Sequence, residues 1–456
     1  MEAAIVLVML GAGLVDAKTR TYFMAAEEGP WDYCAGSKMD QMMHIPLATH
    51  PHAATFTERG DTRIGCEYIK ARYVRYTDAS FTQRVDRPAD ESHMALLGPV
   101  IRAEVGDQIR VNFLNRASFP VSIHPHGVAY TKANEGMMDH MQDPKDMGDD
   151  AVSPGSNYTY EWDVPETAGP TPTQPSSIVW LYHDHHDEVA GPYAGLVGTI
   201  IVTRKGSADD DAKPVDVDRE LVLFFSVMNE GGSSLFETNV QHYLNASGQM
   251  QQSDYDALTK DGDFEESNLM HGVNGVMYGN LEGLTVKQNQ RVRWHTVALG
   301  TEVDMHSVHW HGNTLDFEGK RTDVVELLPA SMKTADMLAV APGRWFLECH
   351  VADHVLGGMY VYYTVEACKA GCSKASASQP SPVDSIKNEL KQIDEKIKKM
   401  SYTNGATTSV DSIKAELRNE LVNLNKVRGT TRTHARRHTH THAYPHAHIH
   451  THYRTA

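Results

Sequence analysis

Through residue 368, apolar and polar residues follow patterns of strand length. Ile109-Arg-Val-Asn-Phe and Tyr158-Thr-Tyr-Glu-Trp place apolar side chains at alternate positions, whereas Leu221-Val-Leu-Phe-Phe and Met359-Tyr-Val-Tyr-Tyr are continuous apolar runs. Clusters of Gly, Pro, Asn and Asp separate the runs. This predicts an all-β region of sandwich or barrel type with no long helix. A charged stretch at 204–219 divides it into halves of similar size. Each half has an early His-x-His-Gly and a late strand end carrying His or Cys, so two copies of one fold are expected, at 18–206 and 207–372.

After residue 372 the pattern changes. Residues 373–382 form a Ser/Ala/Pro linker. Ile386, Leu390, Ile393, Ile397 and Met400 then recur at heptad spacing, as do Ile413, Leu417, Leu424 and Val427. They predict a helical segment at 383–428, a hairpin or an oligomerising coiled coil. Residues 429–456 are a low-complexity tail in which His434, His438, His440, His442, His446, His448, His450 and His452 lie among Thr, Ala and Arg. Two readings stand for it, a loose metal-binding tail and a pH-sensitive tail with no specific ligand. At the other end, an apolar run from Ala3 to Val15 with small residues at Val15 and Ala17 predicts a signal peptide over 1–17. The mature protein is therefore expected to be secreted and extracellular. No transmembrane segment is expected, since no later stretch is apolar enough to cross a bilayer. The sequons at Asn157 and Asn245 agree with an extracellular glycoprotein.

The 456 residues carry a formal net charge of -17, which argues against a nucleic-acid partner and suits a cationic substrate. Histidine is unusually abundant, at 26. Of the five cysteines, Cys34 could pair with Cys66 and Cys368 with Cys372, leaving Cys349 between Glu348 and His350. An unpaired cysteine among histidines in an oxidising compartment points to metal ligation.

Cys349, His354 and Met359 stand at intervals of five, with His306 upstream. A thiolate, two imidazoles and a weak thioether make a type 1 copper site, because soft sulfur and borderline nitrogen suit a metal cycling between cupric and cuprous states. Three further pairs, His124/His126, His183/His185 and His309/His311, each set two imidazoles on one face of a strand. His350 adds another beside the thiolate.

With these motifs the sequence resembles the multicopper oxidases, and within them the ceruloplasmin and hephaestin group, in a two-domain form. The resemblance runs from about residue 18 to 368 and includes Trp31-Asp-Tyr, Leu97-Gly-Pro-Val-Ile-Arg-Ala-Glu, Asn274-Gly-Val-Met-Tyr-Gly-Asn-Leu-Glu-Gly-Leu and Cys349-His-Val-Ala-Asp-His. It implies tandem cupredoxin domains, Greek-key β-barrels. It implies one-electron oxidation of substrate at type 1 copper and four-electron reduction of dioxygen to water at a trinuclear cluster. By position, His306, Cys349, His354 and Met359 match the type 1 ligands, and His124 and His309 the type 2 ligands. His126, His183 and His350 match one type 3 copper, and His185 and His311 the other. The family's remaining type 3 histidine is replaced by Glu348. Two expectations follow: a cluster that assembles with Glu348 as ligand at a lowered potential, or a type 3 pair that is incomplete or slow with oxygen. Asp184 stands where a cysteine would complete a type 1 site in the first half.

In the ferroxidase members an acidic iron site lies beside the type 1 copper. The matching positions are Asp353, Glu266 and His271, with Glu302 in the place of an acid lent by a neighbouring domain. Hard carboxylate oxygens suit iron and favour the ferric product. The resemblance therefore implies ferrous iron and dioxygen as substrates. A laccase-like oxidase of phenols or aromatic amines is the alternative, and a non-catalytic A-domain-like module a third reading. Because the related six-domain ring closes the cluster between its first and last domains, two domains imply a head-to-tail homotrimer. Asp143-Pro-Lys-Asp146-Met-Gly-Asp149-Asp150 resembles a calcium-binding loop of the group, which would make Asp149 and Asp150 ligands.

Overall fold

A computed structural model describes residues 17–138, 143 and 147–368. The expected linker, helical segment and histidine-rich tail lie outside the described residues, as does the leader apart from residue 17.

In the first half, Thr19–Asp32 runs antiparallel to Glu67–Tyr76 and parallel to Gln108–Asn115, which pairs antiparallel with Asn157–Asp163. The facing sheet holds Ile101–Glu104, Val197–Thr203, Ser177–His183 and His124–Pro125 in that order. The second half repeats the plan. Arg219–Asn229 runs antiparallel to Leu269–Val273 and parallel to Arg291–Ala298, which pairs antiparallel with Met332–Leu338. Its facing sheet orders Thr285–Lys287, Tyr360–Glu366, Gly343–Cys349 and His306–Trp310, and adds Val324–Leu327 at the edge. Strand order and the parallel pairings recur, so the described residues form the expected all-β tandem of cupredoxin barrels.

Alternation places the cores. Ile109, Val111 and Phe113 face inward from Gln108–Asn115 and meet Ile200 and Val202 of the opposite sheet. Leu221, Leu223 and Phe225 do the same for the second barrel, with Val361 and Tyr363 opposite. The strand Ser177–His183 is apolar on both faces because it serves two cores. Tyr182 and Trp180 pack into the first barrel, whereas Val179 and Leu181 pack with Val222, Phe224, Met277 and Tyr360 in a core shared by the two halves. Each such side chain contributes roughly 1.5–3 kcal/mol on burial. That shared core holds a fully buried ion pair between Lys70 and Glu230, with the Tyr33 hydroxyl also donating to Glu230.

Three short helices, Phe236–Tyr243, Gln252–Leu258 and Gly262–Ser267, lie in the second half. None is long enough to show a helical period in the sequence. Cys34 and Cys66 form a disulfide that closes 32 residues of sequence separation, which on chain-entropy grounds stabilises by roughly 4 kcal/mol. Cys368 is also disulfide-bonded, and its expected partner Cys372 lies outside the described residues.

Candidate metal centres

The strand His306–Trp310 serves two places at once. Its inward positions are His306, Val308 and Trp310, and its outward positions include His309. The neighbouring strand pairs Val308 with Cys349 and His309 with Glu348. Cys349 is thereby set inside the barrel with His306, and Glu348 outside with His309.

Inside, Cys349 Sγ lies 3.3 Å from His354 Nδ1 and 3.7 Å from His306 Nδ1, and the two Nδ1 atoms are 3.1 Å apart. His354 is supplied by the one-turn helix Ala352–Leu356, which follows the cysteine directly. Met359 closes the loop: Cys349 N donates to its carbonyl at 3.0 Å and its own N donates to the His354 carbonyl at 2.9 Å. All four residues are buried. Three metal-ligating atoms, one sulfur and two imidazole nitrogens, thus converge within 3.7 Å of one another. Burial, with the charges of His306 and His271 adding to it, pushes His354 down to about 4, so its imidazole is neutral at neutral pH. This donor set fits copper.

Sequence reasoning missed the carboxylate behind the set. Asp304 is fully buried, and its Oδ1 lies 3.4 Å from His306 Nε2 while accepting from Val227 N at 2.7 Å. Its Oδ2 accepts from Thr301 N at 3.0 Å. The signal was present as an acid two residues before a ligand histidine, but only its burial separates a positioning carboxylate from a loop acid. Burial raises the Cys349 thiol, and backbone hydrogen bonds at Val351 and Ser307 act against that rise.

Outside the barrel, Glu348 Oε1 lies 3.4 Å from His311 Nε2 and 3.8 Å from His309 Nδ1. The rings of His309 and His350 stack with centroids 5.5 Å apart, and those of His309 and His311 are 4.2 Å apart. His350 is exposed and His311 half-buried, and Glu348 joins His309 and His350 as a possible ligand group.

The first half gathers its four histidines separately. His124 and His183 are cross-strand partners, His126 Nε2 is 3.0 Å from His183 Nε2, and the His124 and His185 rings are 4.8 Å apart. Burial chiefly holds His126 at about 4 and His183 at about 3, so both imidazoles are neutral and able to bind metal. The four line a cavity of about 280 Å³ that also borders Thr301 and Ala330 of the second half. Each His-x-His-Gly ends on a left-handed glycine pressed against a tryptophan. A Cβ on Gly127 (φ +75°) would meet Trp180 at 2.1 Å, and one on Gly312 (φ +76°) would meet Trp345 at 2.3 Å. Asp184 is buried and accepts from Ser122 N at 2.7 Å and more weakly from His186 N and Asp187 N, with its carboxyl pushed up to about 7 by burial. It fills the thiolate's position with a loop-bracing acid. Among the described residues no hydrogen bond, ion pair or ring contact joins the first-half histidines to His309, His311 or His350.

Family models described as Multicopper oxidase match residues 73–207 and 245–368, more than half of the chain between them. The chain belongs to the multicopper oxidases. This multicopper oxidase is 37% identical to Ferroxidase HEPHL1 of Homo sapiens over 367 residues, 80% of this chain and 31% of that protein. It is 39% identical to ceruloplasmin of Homo sapiens, over 77% of this chain and 33% of that one, and 37% identical to hephaestin of Mus musculus, over 76% and 29%. The chain thus spans about a third of the length of the curated relatives it matches. A solved multicopper oxidase superposes with a TM-score of 0.48 at 18% identity, over 76% of this chain and 89% of that chain.

The residues expected to hold iron divide in this multicopper oxidase. His271 is buried, its ring centroid 5.6 Å from that of His354, and the Asp353 charge acts on it. Burial nonetheless holds His271 at about 4. Glu266 is exposed near the end of Gly262–Ser267, the helix that leads into the strand of His271. Glu302 is exposed elsewhere, where its charge acts on Tyr193 of the first half, and no hydrogen bond or ion pair joins it to Glu266, His271 or Asp353 among the described residues. Asp149 and Asp150 are buried; Asp149 Oδ2 accepts from Gly136 N at 2.7 Å, and burial, with Asp150's charge adding to it, pushes its carboxyl up to about 6. No helix among the described residues is long and apolar enough to cross a membrane.

Proposed function

We propose that this chain is a copper-dependent ferroxidase, oxidising ferrous to ferric iron while dioxygen is reduced to water. The observation that carries this reading is the buried convergence of Cys349, His306 and His354 beside His271. Copper, when bound, supplies a one-electron carrier at His306, Cys349, His354 and Met359 and a dioxygen-reducing centre at the paired histidines. The chain's own residues do the rest. Asp304 Oδ1, 3.4 Å from His306 Nε2, stands where it would steady that ring when Nδ1 takes a metal. His271, Asp353 and Glu266 offer the iron substrate one nitrogen and hard oxygens at the edge of the buried set, and carboxylates favour the ferric product. Cys349 and His350 are covalent neighbours whose side chains belong to different groups, so a single peptide joins the buried set to the exterior one. Glu348 faces that exterior group as a carboxylate ligand.

The two histidine sets are each half of a site. A second copy would bring the first-half imidazoles against His309, His311 and His350, and a closed head-to-tail ring does this without leaving an unfilled surface. A six-barrel ring built from copies that contribute two barrels each is a homotrimer. In it Glu302 serves a neighbour's iron. The protein is secreted and glycosylated, and Asp149 and Asp150 hold calcium.

The test is copper counted per chain, with visible and spin-resonance spectra, followed by rates on ferrous ion with and without oxygen. A protein that loads copper yet shows no thiolate-to-copper absorption would sink the reading. Faster turnover of a phenylenediamine than of ferrous ion would favour the laccase-like alternative.

A further inference from the structure

We propose that a cavity walled by Arg72, Arg75, Arg84 and Arg87 binds a small, multiply charged oxoanion such as inorganic phosphate. It shares no residue with the histidine sets, so it stands or falls apart from the oxidase reading. The chain is built to form it. Glu67–Tyr76 is an edge strand, and the following segment folds back along it: Val85 N donates to the Arg75 carbonyl at 2.9 Å, and Tyr76 bridges to Arg84. Arg87 then donates to the Leu97 carbonyl. These three pieces of chain border a half-open cavity of about 210 Å³, with Arg72 half-buried and the other three arginines at its exposed rim, below the roughly 300–1,000 Å³ usual for drug-sized ligands.

Four guanidiniums line it against two carboxylates, Asp86 and Glu91, in a protein whose formal charge is -17. Glu91 is shared, lying 3.8 Å from Arg102. Arg84 is tied to Glu27 outside the cavity. Arg72, Arg75 and Arg87 close no ion pair among the described residues, whereas Arg20, Arg102, Arg110 and Arg293 each do. Stacking holds two of the unpaired groups in place: Arg72 lies over Trp31 at 5.2 Å and Arg75 over Tyr22 at 5.0 Å. Stacking fixes the plane of a guanidinium and leaves its N–H edge available. Arg72 Nε is shielded from solvent without a hydrogen-bond partner, and burial, with the charge of Arg84 adding to it, works against Arg72's own charge. An anion accepting paired N–H bonds would relieve both deficits, which is the geometry in which arginine recognises phosphate and carboxylate. Stacking would explain Arg72 and Arg75 and the Leu97 carbonyl would explain Arg87, but neither explains why three arginines that close no ion pair border one cavity.

The test uses the full copper-loaded chain. Calorimetric titration with phosphate, sulfate and citrate at fixed ionic strength is expected to give saturable one-to-one binding of at least phosphate. Phosphate is expected to protect Arg72, Arg75 and Arg87 from phenylglyoxal, read by peptide mass spectrometry on the unmutated protein. The double variant R75Q/R87Q is expected to bind phosphate at least about tenfold more weakly, with unchanged circular dichroism. No saturable binding of any of the three anions, protection confined to other arginines, or a folded double variant with undiminished affinity would each overturn the proposal. So would binding of a long sulfated polysaccharide alone. Should the double variant fail to fold, the labelling of the unmutated chain decides the matter.

Discussion

His271 and His354 lie with ring centroids 5.6 Å apart, one in the buried cysteine–histidine set and the other next to the charge of Asp353. On the proposed reading, no third side chain is needed between an iron held at His271 and the buried cysteine–histidine set. His271 is wedged there: a Cβ on Gly357 would meet its ring at 2.6 Å, and Phe56 packs against it with centroids 5.2 Å apart.

His271→Ala should therefore separate substrates. We expect kcat/KM for ferrous ion to fall by about tenfold or more, the loss of one ligand, with phenylenediamine oxidation nearly unchanged. Parallel steady-state assays on the two donors check this. Equal losses on both would make His271 a packing residue.

Asp304→Asn should act through His306. The amide keeps an oxygen for only one of the two backbone N–H groups, Val227's at Oδ1 or Thr301's at Oδ2, and it removes the negative charge behind the imidazole. Copper affinity of the buried set is expected to drop about 10–100-fold, measured by competition with a chelator, with a shift in the visible spectrum of the loaded protein.

Glu348→His should raise the oxygen-dependent rate several-fold. Glu348 already faces His311 and His309 at 3.4 and 3.8 Å, so an imidazole there has neighbours to share a metal with. Oxygen consumption and the type 3 absorption band provide the measurement; no change in either would mean that Glu348 takes no part.

The buried set was legible because its members are close in sequence and of a rare combination. Cys349, His354 and Met359 sit on one loop, and only His306 had to come from another strand. Strand alternation likewise separates His306 from His309, because residues an odd number of positions apart face opposite sides of a strand. Long-range facts were not legible. The burial of Asp304 depends on Arg219–Asn229 passing behind it. Spacing marked Glu302 as an acid lent to a neighbouring copy, but not that its charge would act on Tyr193 of its own first half. The separation of the two histidine sets, by contrast, is what the expectation of clusters shared between copies requires.

Acid should destabilise the fold through His93. This residue is buried, its Nε2 accepting from Val222 N at 3.0 Å, and burial chiefly holds it at about 3 against an ordinary 6.5. Below pH 6.5 the unfolded chain takes up a proton there and the folded chain does not, so stability is full above that pH and is lost as pH falls toward 3. For this one group the slope approaches about 1.4 kcal/mol per pH unit. Denaturant midpoints at pH 7 and 5 should differ less in His93→Gln than in the parent; equal differences would exonerate His93.

Sharing of sites between copies makes a quantitative prediction. One variant loses the first-half set, His126→Ala with His183→Ala, and another loses the second-half set, His309→Ala with His311→Ala. Alone, each is inactive whether sites lie within chains or between them. When the two are co-expressed with different tags, rings purified through both tags contain both variants. In a head-to-tail trimer of that kind, an intact second half meets an intact first half of its neighbour at about one interface in three, whichever variant is in the majority. Oxygen-reducing activity should thus return to about a third of the parental value in those rings. Sites contained within a single chain would leave the mixed rings as inactive as either variant alone, and mass measurement of the same sample would show that mixing had occurred.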